Sequence, residues 1–136
     1  MKGNRYILLL EDDMVESMRV ERVLKALDPK LQLQKVVNGR EGLNWLKEHP
    51  DDLPAIILLD LNMPVMNGIE FLNEVKADEK LKLTPVIILT TSGSDADKQA
   101  TYSLGIAGYM VKPVRYNDFE EVMKTIVRYW ETSELV

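Results

Sequence analysis

An alternation of short apolar runs with amphipathic stretches is the feature that most limits how this chain can fold. Apolar runs occupy residues 6–10, 31–37, 55–59, 86–89 and 107–111. All except the second are nearly continuous, as in strands buried on both faces of a sheet. Apolar residues at helical spacing follow each run, over residues 14–27, 39–48, 67–77, 95–104 and 117 to about 131. These repeats predict an α/β fold, a doubly wound parallel sheet with right-handed crossovers.

Length and composition narrow the class of protein further. The 136 residues suffice for one domain, and we expect a single domain over 1–136 with no separate effector domain. A net charge of -5 argues against direct nucleic-acid binding, because Lys and Arg supply most of that affinity. The absence of cysteine excludes disulfides and thiolate metal sites. The first apolar run is too short for a signal peptide or membrane span, so we expect a cytoplasmic protein without membrane contact.

Capping residues support these helix boundaries. Asp13, Ser94 and Asn117 each stand three residues before an acid, which is the arrangement of a helix N-cap and its first turn. They predict helices that begin at these three positions. The one histidine, His49, lies near the end of the second predicted helix and is followed by Pro50. We interpret His49 as a surface or helix-terminal residue rather than a catalytic one.

Acidic residues follow the first and third predicted strands. Glu11, Asp12 and Asp13 end the first run, and Asp60 ends the third. Ligands of an open parallel sheet bind beyond the carboxyl ends of its strands, so these carboxylates converge if the two strands are neighbours. Two charges about 4 Å apart repel by roughly 4 kcal/mol at an effective dielectric of about 20, which favours a bound cation. Mg²⁺ suits such oxygen ligands best, while Asp13 is better explained as a helix cap.

Four motifs in this order resemble the receiver domain of response regulators. They are ILLLEDD at 7–13, DLNMPVMNG at 60–68, the pair Thr91-Ser92, and GYMVKP at 108–113. Each is weak alone, but together on a repeated β-α pattern they are specific, and the likeness covers nearly the whole chain. The resemblance implies a flavodoxin-like (βα)₅ sheet with strand order 2-1-3-4-5.

The resemblance also implies a metal and phosphorylation site. Asp60 matches the phosphorylated aspartate and is also a ligand of Mg²⁺. Asp12 would bind the metal directly and Glu11 through water, and Asn62 would supply its backbone carbonyl. No other cofactor is implied.

The remaining motif residues match groups that bind the phosphoryl group or respond to it. Thr91 matches the hydroxyl that bonds the phosphoryl group and triggers the switch, and Ser92 the small residue that leaves it room. Lys112 matches the cation that pairs with the phosphoryl group. Tyr109 matches the switch aromatic, and Pro113 is expected to follow a cis peptide bond.

The resemblance implies a stand-alone response regulator that takes a phosphoryl group from phosphohistidine onto Asp60 with Mg²⁺. It would then change the face formed by the fourth helix, fifth strand and fifth helix. Its partners would be a sensor histidine kinase or a histidine phosphotransfer protein, and an unidentified downstream protein. Beyond its own phosphorylation and slow dephosphorylation, no enzymatic activity is expected.

Alternatives from other classes fit the sequence less well. A haloacid dehalogenase-type phosphohydrolase also forms an aspartyl phosphate, but it needs a second Asp where Asn62 stands. A flavodoxin-like flavin binder needs a loop rich in Ser, Thr and Gly after the first strand, and Glu11 with its acidic neighbours would repel a flavin phosphate. A receiver that has lost phosphorylation is disfavoured because every expected functional position is filled.

The C-terminal stretch allows two interpretations. With Tyr129, Trp130, Leu135 and Val136 it resembles single-domain regulators that serve phytochrome-type histidine kinases. It could form a homodimer, whereas the helical spacing of Phe119 and Trp130 is also explained by packing in the core.

Overall fold

The computed structural model describes residues 6–133, so Leu135 and Val136 lie outside the described residues. It contains a parallel sheet with the strand order β2-β1-β3-β4-β5, which confirms the predicted fold class and order. The strands are β1 (Tyr6–Leu10), β2 (Gln32–Val36), β3 (Ile56–Leu59), β4 (Val86–Thr90) and β5 (Gly108–Val111). The helices are α1 (Met14–Leu27), α2 (Gly39–Glu48), α3 (Gly68–Ala77), α4 (Asp95–Ser103) and α5 (Tyr116–Thr132). Within this part of the chain, no helix has the length and apolar character needed to cross a bilayer.

Strand burial follows position in the sheet. Every residue of β1, β3 and β4 is buried, as their continuous apolar runs predict. The second apolar run is the one that is not continuous in the sequence. It forms β2, an edge strand in which only Val36 is buried. The expectation that the fifth run is buried on both faces is wrong, because β5 is the other edge strand and has no fully buried residue. The burial of β5 depends on which strands lie beside it in the sheet, and the hydropathy of the fifth run does not encode these neighbours.

Two hydrophobic cores cover the two faces of the sheet. Alternate residues of the central strands face α2 and α3 on one side, where Phe71 and Leu72 are fully buried. The other residues face α1 and α5, and here Phe119 and Trp130 are fully buried. Each such side chain stabilises the fold by about 1.5–3 kcal/mol. Of the aromatic C-terminal residues, Trp130 therefore belongs to the core of the domain.

Local capping sets most of the helix starts. Asp13 accepts hydrogen bonds from two backbone N–H groups of the first turn of α1, and Ser94 accepts one from the backbone of Asp97, which confirms both predicted caps. The predicted cap at Asn117 is wrong, because α5 already begins at Tyr116 and its N-cap, Arg115, makes no side-chain cap bond. Helix α4 is weakly anchored, since Thr101 is its one buried residue.

A substitution in α2 tests the close packing of this helix on the sheet. A Cβ added at Gly42 would lie 2.5 Å from Leu10 Cδ2 and 3.1 Å from Phe71 Cε1, and both side chains are fully buried. Alanine has the better helix propensity by about 1 kcal/mol, but overpacking costs about 1–3 kcal/mol. We expect Gly42→Ala to lower the free energy of unfolding by up to about 2 kcal/mol in urea denaturation. A Cβ at Gly93 meets nothing within 4 Å, so Gly93→Ala is the control, and equal stability of both variants would contradict the packing account.

Candidate functional site

The site lies where β1 and β3 end side by side. These strands are parallel neighbours with Leu10 opposite Leu59, so the next residues, Glu11 and Asp60, emerge together at the carboxyl edge of the sheet. The backbone N–H of Asp60 donates to the Leu10 carbonyl at 3.1 Å and continues the pairing past the end of the strand. Both acids are buried, with exposed fractions of 4% for Glu11 and 8% for Asp60.

Three carboxylates form a set of oxygen ligands at this edge. One oxygen each from Glu11, Asp12 and Asp60 lies within 4.8 Å of the others, as the sequence predicts for neighbouring strands. Asp12 is exposed, so a cation could reach the cluster from solvent. A ligand set made only of carboxylate oxygens, and open to water, fits a hard divalent cation. Asn62 is exposed and its N–H lies 3.5 Å from Asp60 Oδ1; the role of its carbonyl stays a prediction.

Lys112 closes the site from the opposite side. Its backbone N–H donates to the Thr90 carbonyl at 2.7 Å and extends the pairing of β5 with β4. Its Nζ forms a buried ion pair with Glu11 Oε1. Burial raises the pKa of Glu11 to about 7, because the loss of hydration outweighs the opposing effect of Lys112, and the charge of Asp60 raises it further. In this structure the Nζ of Lys112 is turned towards Glu11.

The expected cis bond before Pro113 is wrong. No cis peptide bond occurs among the described residues, so the Lys112–Pro113 bond is trans. Lys112 reaches Glu11 with this bond in the trans form, and trans is the lower-energy isomer of an X–Pro bond by about 0.5–1 kcal/mol.

The two threonines at the end of β4 differ in their surroundings. Thr90 ends the strand and has no exposed surface, and its Oγ1 accepts a hydrogen bond from the Ser92 N–H at 3.3 Å. Thr91 follows the strand and is exposed, which speaks against the role that its sequence motif assigns to it. Sequence reasoning missed Thr90. The signal that could have identified it is the rule that the last residue of a buried strand lies at the ligand-binding edge.

Tyr109 and Ser92 are linked by hydrogen bonds near the site. The Tyr109 hydroxyl donates to the Ser92 carbonyl at 2.8 Å, and burial raises the pKa of Tyr109. Ser92 Oγ donates to Asp97 Oδ2 at 2.7 Å, which ties this loop to the first turn of α4. Ser92 thus connects Thr90 both to Tyr109 and to α4. A movement of Thr90 at the end of β4 would therefore affect the positions of Tyr109 and of α4.

The loop between β3 and α3 is strained at one residue. Val65 has a φ of 68° and is the one non-glycine residue with positive φ among those described. The Met66 N–H donates to the Pro64 carbonyl at 2.7 Å, which closes a tight three-residue turn around Val65. A β-branched residue in this region costs about 1–3 kcal/mol. The strain lies within the sequence motif that begins at Asp60, five residues after that acid.

Comparison with known proteins identifies relatives along nearly the whole sequence. Residues 7–124 match the family described as the response regulator receiver domain. A probable methanogenesis regulatory protein, FilR2 of Methanothrix harundinacea, is 34% identical over 127 residues, which cover 91% of this chain and 82% of the relative. The response regulator Rcp1 of Synechocystis sp. is 33% identical over 130 residues, which cover 93% of this chain and 88% of Rcp1.

Solved structures share the same architecture. The phosphorylated cyanobacterial phytochrome response regulator RcpA superimposes with a TM-score of 0.91 at 28% identity, covering 98% of this chain and 99% of RcpA. The Mn²⁺-bound form of Rcp1 gives a TM-score of 0.88 at 34% identity, covering 97% of this chain and 99% of Rcp1. The suspected likeness to regulators associated with phytochromes is therefore confirmed at the level of fold and sequence.

The raised pKa of Glu11 predicts a pH-dependent stability in the absence of metal. Folding moves this pKa up from 4.5 to about 7, so between these values the folded chain keeps a proton that the unfolded chain has lost. The free energy of unfolding should fall by about 1–3 kcal/mol as the pH rises through this window, and then level off. Urea denaturation in EDTA measures it. Glu11→Gln should lack this component, so parallel profiles for the two proteins would contradict the prediction.

Proposed function

Because the chain belongs to the response regulator receiver domain family, whose members are signalling proteins rather than classical enzymes, we propose that it is a stand-alone response regulator. It takes a phosphoryl group from a phosphohistidine onto Asp60 with Mg²⁺ and then changes its binding surface. The observation that carries the proposal is the cluster of Glu11, Asp12 and Asp60 beside the buried Lys112.

Asp60 has the properties that the reaction requires. A carboxylate can attack phosphorus without a base to deprotonate it, so the site needs no histidine or serine partner. A carboxylate oxygen of Asp60 forms the bond to phosphorus, the P–N bond of the phosphohistidine breaks, and the imidazole leaves with the electron pair. Phosphoryl transfer depends mainly on positioning and on neutralising the transferred oxygens. The buried Lys112 offers a cation for this purpose once it turns from Glu11 to the phosphoryl group.

Glu11, Asp12 and Asp60 are the residues that would hold the cation, with the Asn62 carbonyl as a further ligand. When bound, Mg²⁺ supplies positive charge next to the transferred oxygens. The choice of a divalent cation is supported by the oxygen-only ligand set and by the similar Rcp1, which has been solved with Mn²⁺. A haloacid dehalogenase-type phosphohydrolase remains the weaker candidate, because Asn62 has no carboxylate to act as an acid or base.

We propose Thr90, in place of Thr91, as the hydroxyl that bonds the phosphoryl group. Thr90 ends the strand next to β3 and is buried, whereas the exposed Thr91 lies beyond the strand. Movement of the Thr90 side chain towards Asp60 would break its hydrogen bond with the Ser92 N–H. Ser92 also holds Tyr109 through its carbonyl, so the loop and the aromatic ring would respond together.

The surface that changes is the face formed by α4, β5 and α5. Each element exposes a large side chain with apolar surface: Tyr102 on α4, Val111 on β5 and Tyr116 on α5. The weak anchoring of α4 lets this face rearrange at little cost in packing. A downstream protein would dock here after phosphorylation, or a second copy of the chain in a homodimer.

Phosphorylation with a small donor tests the proposed function. Incubation with acetyl phosphate and Mg²⁺ should add one phosphoryl group to the chain, because Asp60 is the one buried aspartate among residues 6–133 and belongs to the carboxylate cluster. Intact-mass spectrometry measures the addition. EDTA and Asp60→Asn should each abolish it. Asp13→Asn is the matched control, since Asp13 caps α1, and full labelling of the Asp60→Asn protein would refute the assignment.

A pair of valine substitutions tests which threonine couples the site to the surface. Thr90→Val removes the buried hydroxyl at constant shape, and Thr91→Val makes the same change at the exposed position. Both variants should still accept phosphate. Addition of beryllofluoride, an acyl-phosphate mimic, should shift the backbone NMR signals of α4 and β5 in the Thr91→Val protein as in wild type. In the Thr90→Val protein these beryllofluoride-induced shifts should be less than about half of those in wild type. Full shifts in Thr90→Val together with reduced shifts in Thr91→Val would assign the coupling role to Thr91 instead.

A further inference from the structure

An aromatic cluster that the proposed function does not use lies beside β2. The Trp45 Nε1–H donates to the Tyr6 hydroxyl at 2.9 Å, and this hydroxyl donates to the Asp52 carbonyl at 2.7 Å. The His49 ring stacks on the indole, with ring centroids 3.9 Å apart and an interplanar angle of 23°. These contacts hold the Trp45 ring in one orientation, although the residue is only half-buried.

Two cavities lie against this indole. Their volumes are about 180 Å³ and about 260 Å³, and Trp45 and Gln34 line both of them. Sites for free small molecules usually measure about 300–1,000 Å³, so each cavity suits a side chain better than a cofactor. The strand β2 ends the sheet, and its outer side pairs with no strand among residues 6–133. An extended segment could therefore lie along β2 and place alternate side chains in the two cavities.

The polar lining of the two cavities is acidic. It consists of carboxylates and amides from Glu41, Glu48, Asp52, Gln32, Gln34 and Asn44. Lys35 is the one cation among the described residues of the lining, and its Nζ is already paired with Glu21 Oε1 at 2.9 Å. Such a lining repels nucleic acids and anionic membrane surfaces, whereas a cation meets carboxylates and an aromatic ring. We call the outer side of β2 together with these cavities the β2 surface.

We propose that the β2 surface binds an extended, arginine-bearing segment of a partner protein, with an arginine packed on Trp45 and paired with Glu48. Arginine suits this position better than lysine, because its planar guanidinium can stack on an indole and also bond to a carboxylate. The β2 surface lies at the opposite side of the sheet from β5, which belongs to the face that changes on phosphorylation in the proposed function. The segment therefore binds whether or not Asp60 carries a phosphoryl group, and it attaches the regulator permanently to its partner.

Titration with a peptide in which arginine and threonine alternate tests this proposal. The chain contains two tryptophans, so two indole N–H signals report in the NMR spectrum. The Trp45 signal should shift and saturate together with the backbone amides of β2. The Trp130 signal should stay in place, because Trp130 is fully buried in the core on the other face of the sheet. A peptide with glutamine in place of arginine should leave both signals unchanged.

Charge reversal separates the proposed contact from general attraction to an acidic protein. Glu48→Lys should weaken peptide binding by about fivefold or more, because it replaces attraction by repulsion beside the indole. Glu74→Lys is the matched control, since Glu74 is also an exposed acid but lies on α3 and lines neither cavity. Its affinity for the peptide should stay within about twofold of wild type. Beryllofluoride should likewise change the wild-type affinity by less than about twofold.

Three results would overturn the inference. The first is equal weakening of peptide binding by Glu48→Lys and Glu74→Lys, or equal binding of the glutamine and arginine peptides. The second is a larger effect of beryllofluoride, because the β2 surface would then be coupled to Asp60. The third is self-association of the wild-type chain that Glu48→Lys abolishes, which would identify a second copy as the occupant. Labelling of Asp60 by acetyl phosphate is independent of all three, so the proposed function is tested separately.

Discussion

The adjacency of β1 and β3 is the constraint on which the rest of this structure depends. It places Glu11 and Asp60 next to each other at one edge of the sheet and so concentrates negative charge where the chain is buried. Such a cluster is unfavourable without a cation, and the buried Lys112, which follows β5, offsets part of its charge. The same charge that opposes folding makes the cluster suited to a divalent cation, so the proposed metal site lowers the stability of the fold when no cation is bound.

This arrangement gives Lys112 two possible partners. It pairs with Glu11 in the structure, and a phosphoryl group on Asp60 would offer it additional oxygens. The hydroxyl of Thr90 and the carbonyl of Ser92 extend the network towards Tyr109 and α4. Since α4 has one buried residue, it is the element that a small local change can move most easily.

Val65, in the loop between β3 and α3, is a second locally unfavourable feature of the structure. Natural chains tend to retain locally unfavourable features where function requires them, and Val65 combines positive φ with an exposed apolar side chain. Its turn is fixed through backbone hydrogen bonds to α2 and within the loop, so the strain is local. The strands β1, β3 and β4 contain no comparable unfavourable residue. All of their residues are buried, and all are apolar except Thr90 at the end of β4.

The sequence by itself determined the repeated β-α order, the burial of the central strands, and the acids that follow β1 and β3, because local periodicity encodes these features. The likeness to a known family supplied the strand order and the prediction that Asp60 is the phosphoacceptor. Only the tertiary structure decided that β5 is an exposed edge, that Thr90 rather than Thr91 is buried, that the bond before Pro113 is trans, and that Lys112 pairs with Glu11. These outcomes depend on which strands become neighbours and which way each side chain points, and a one-residue offset along a strand reverses that direction.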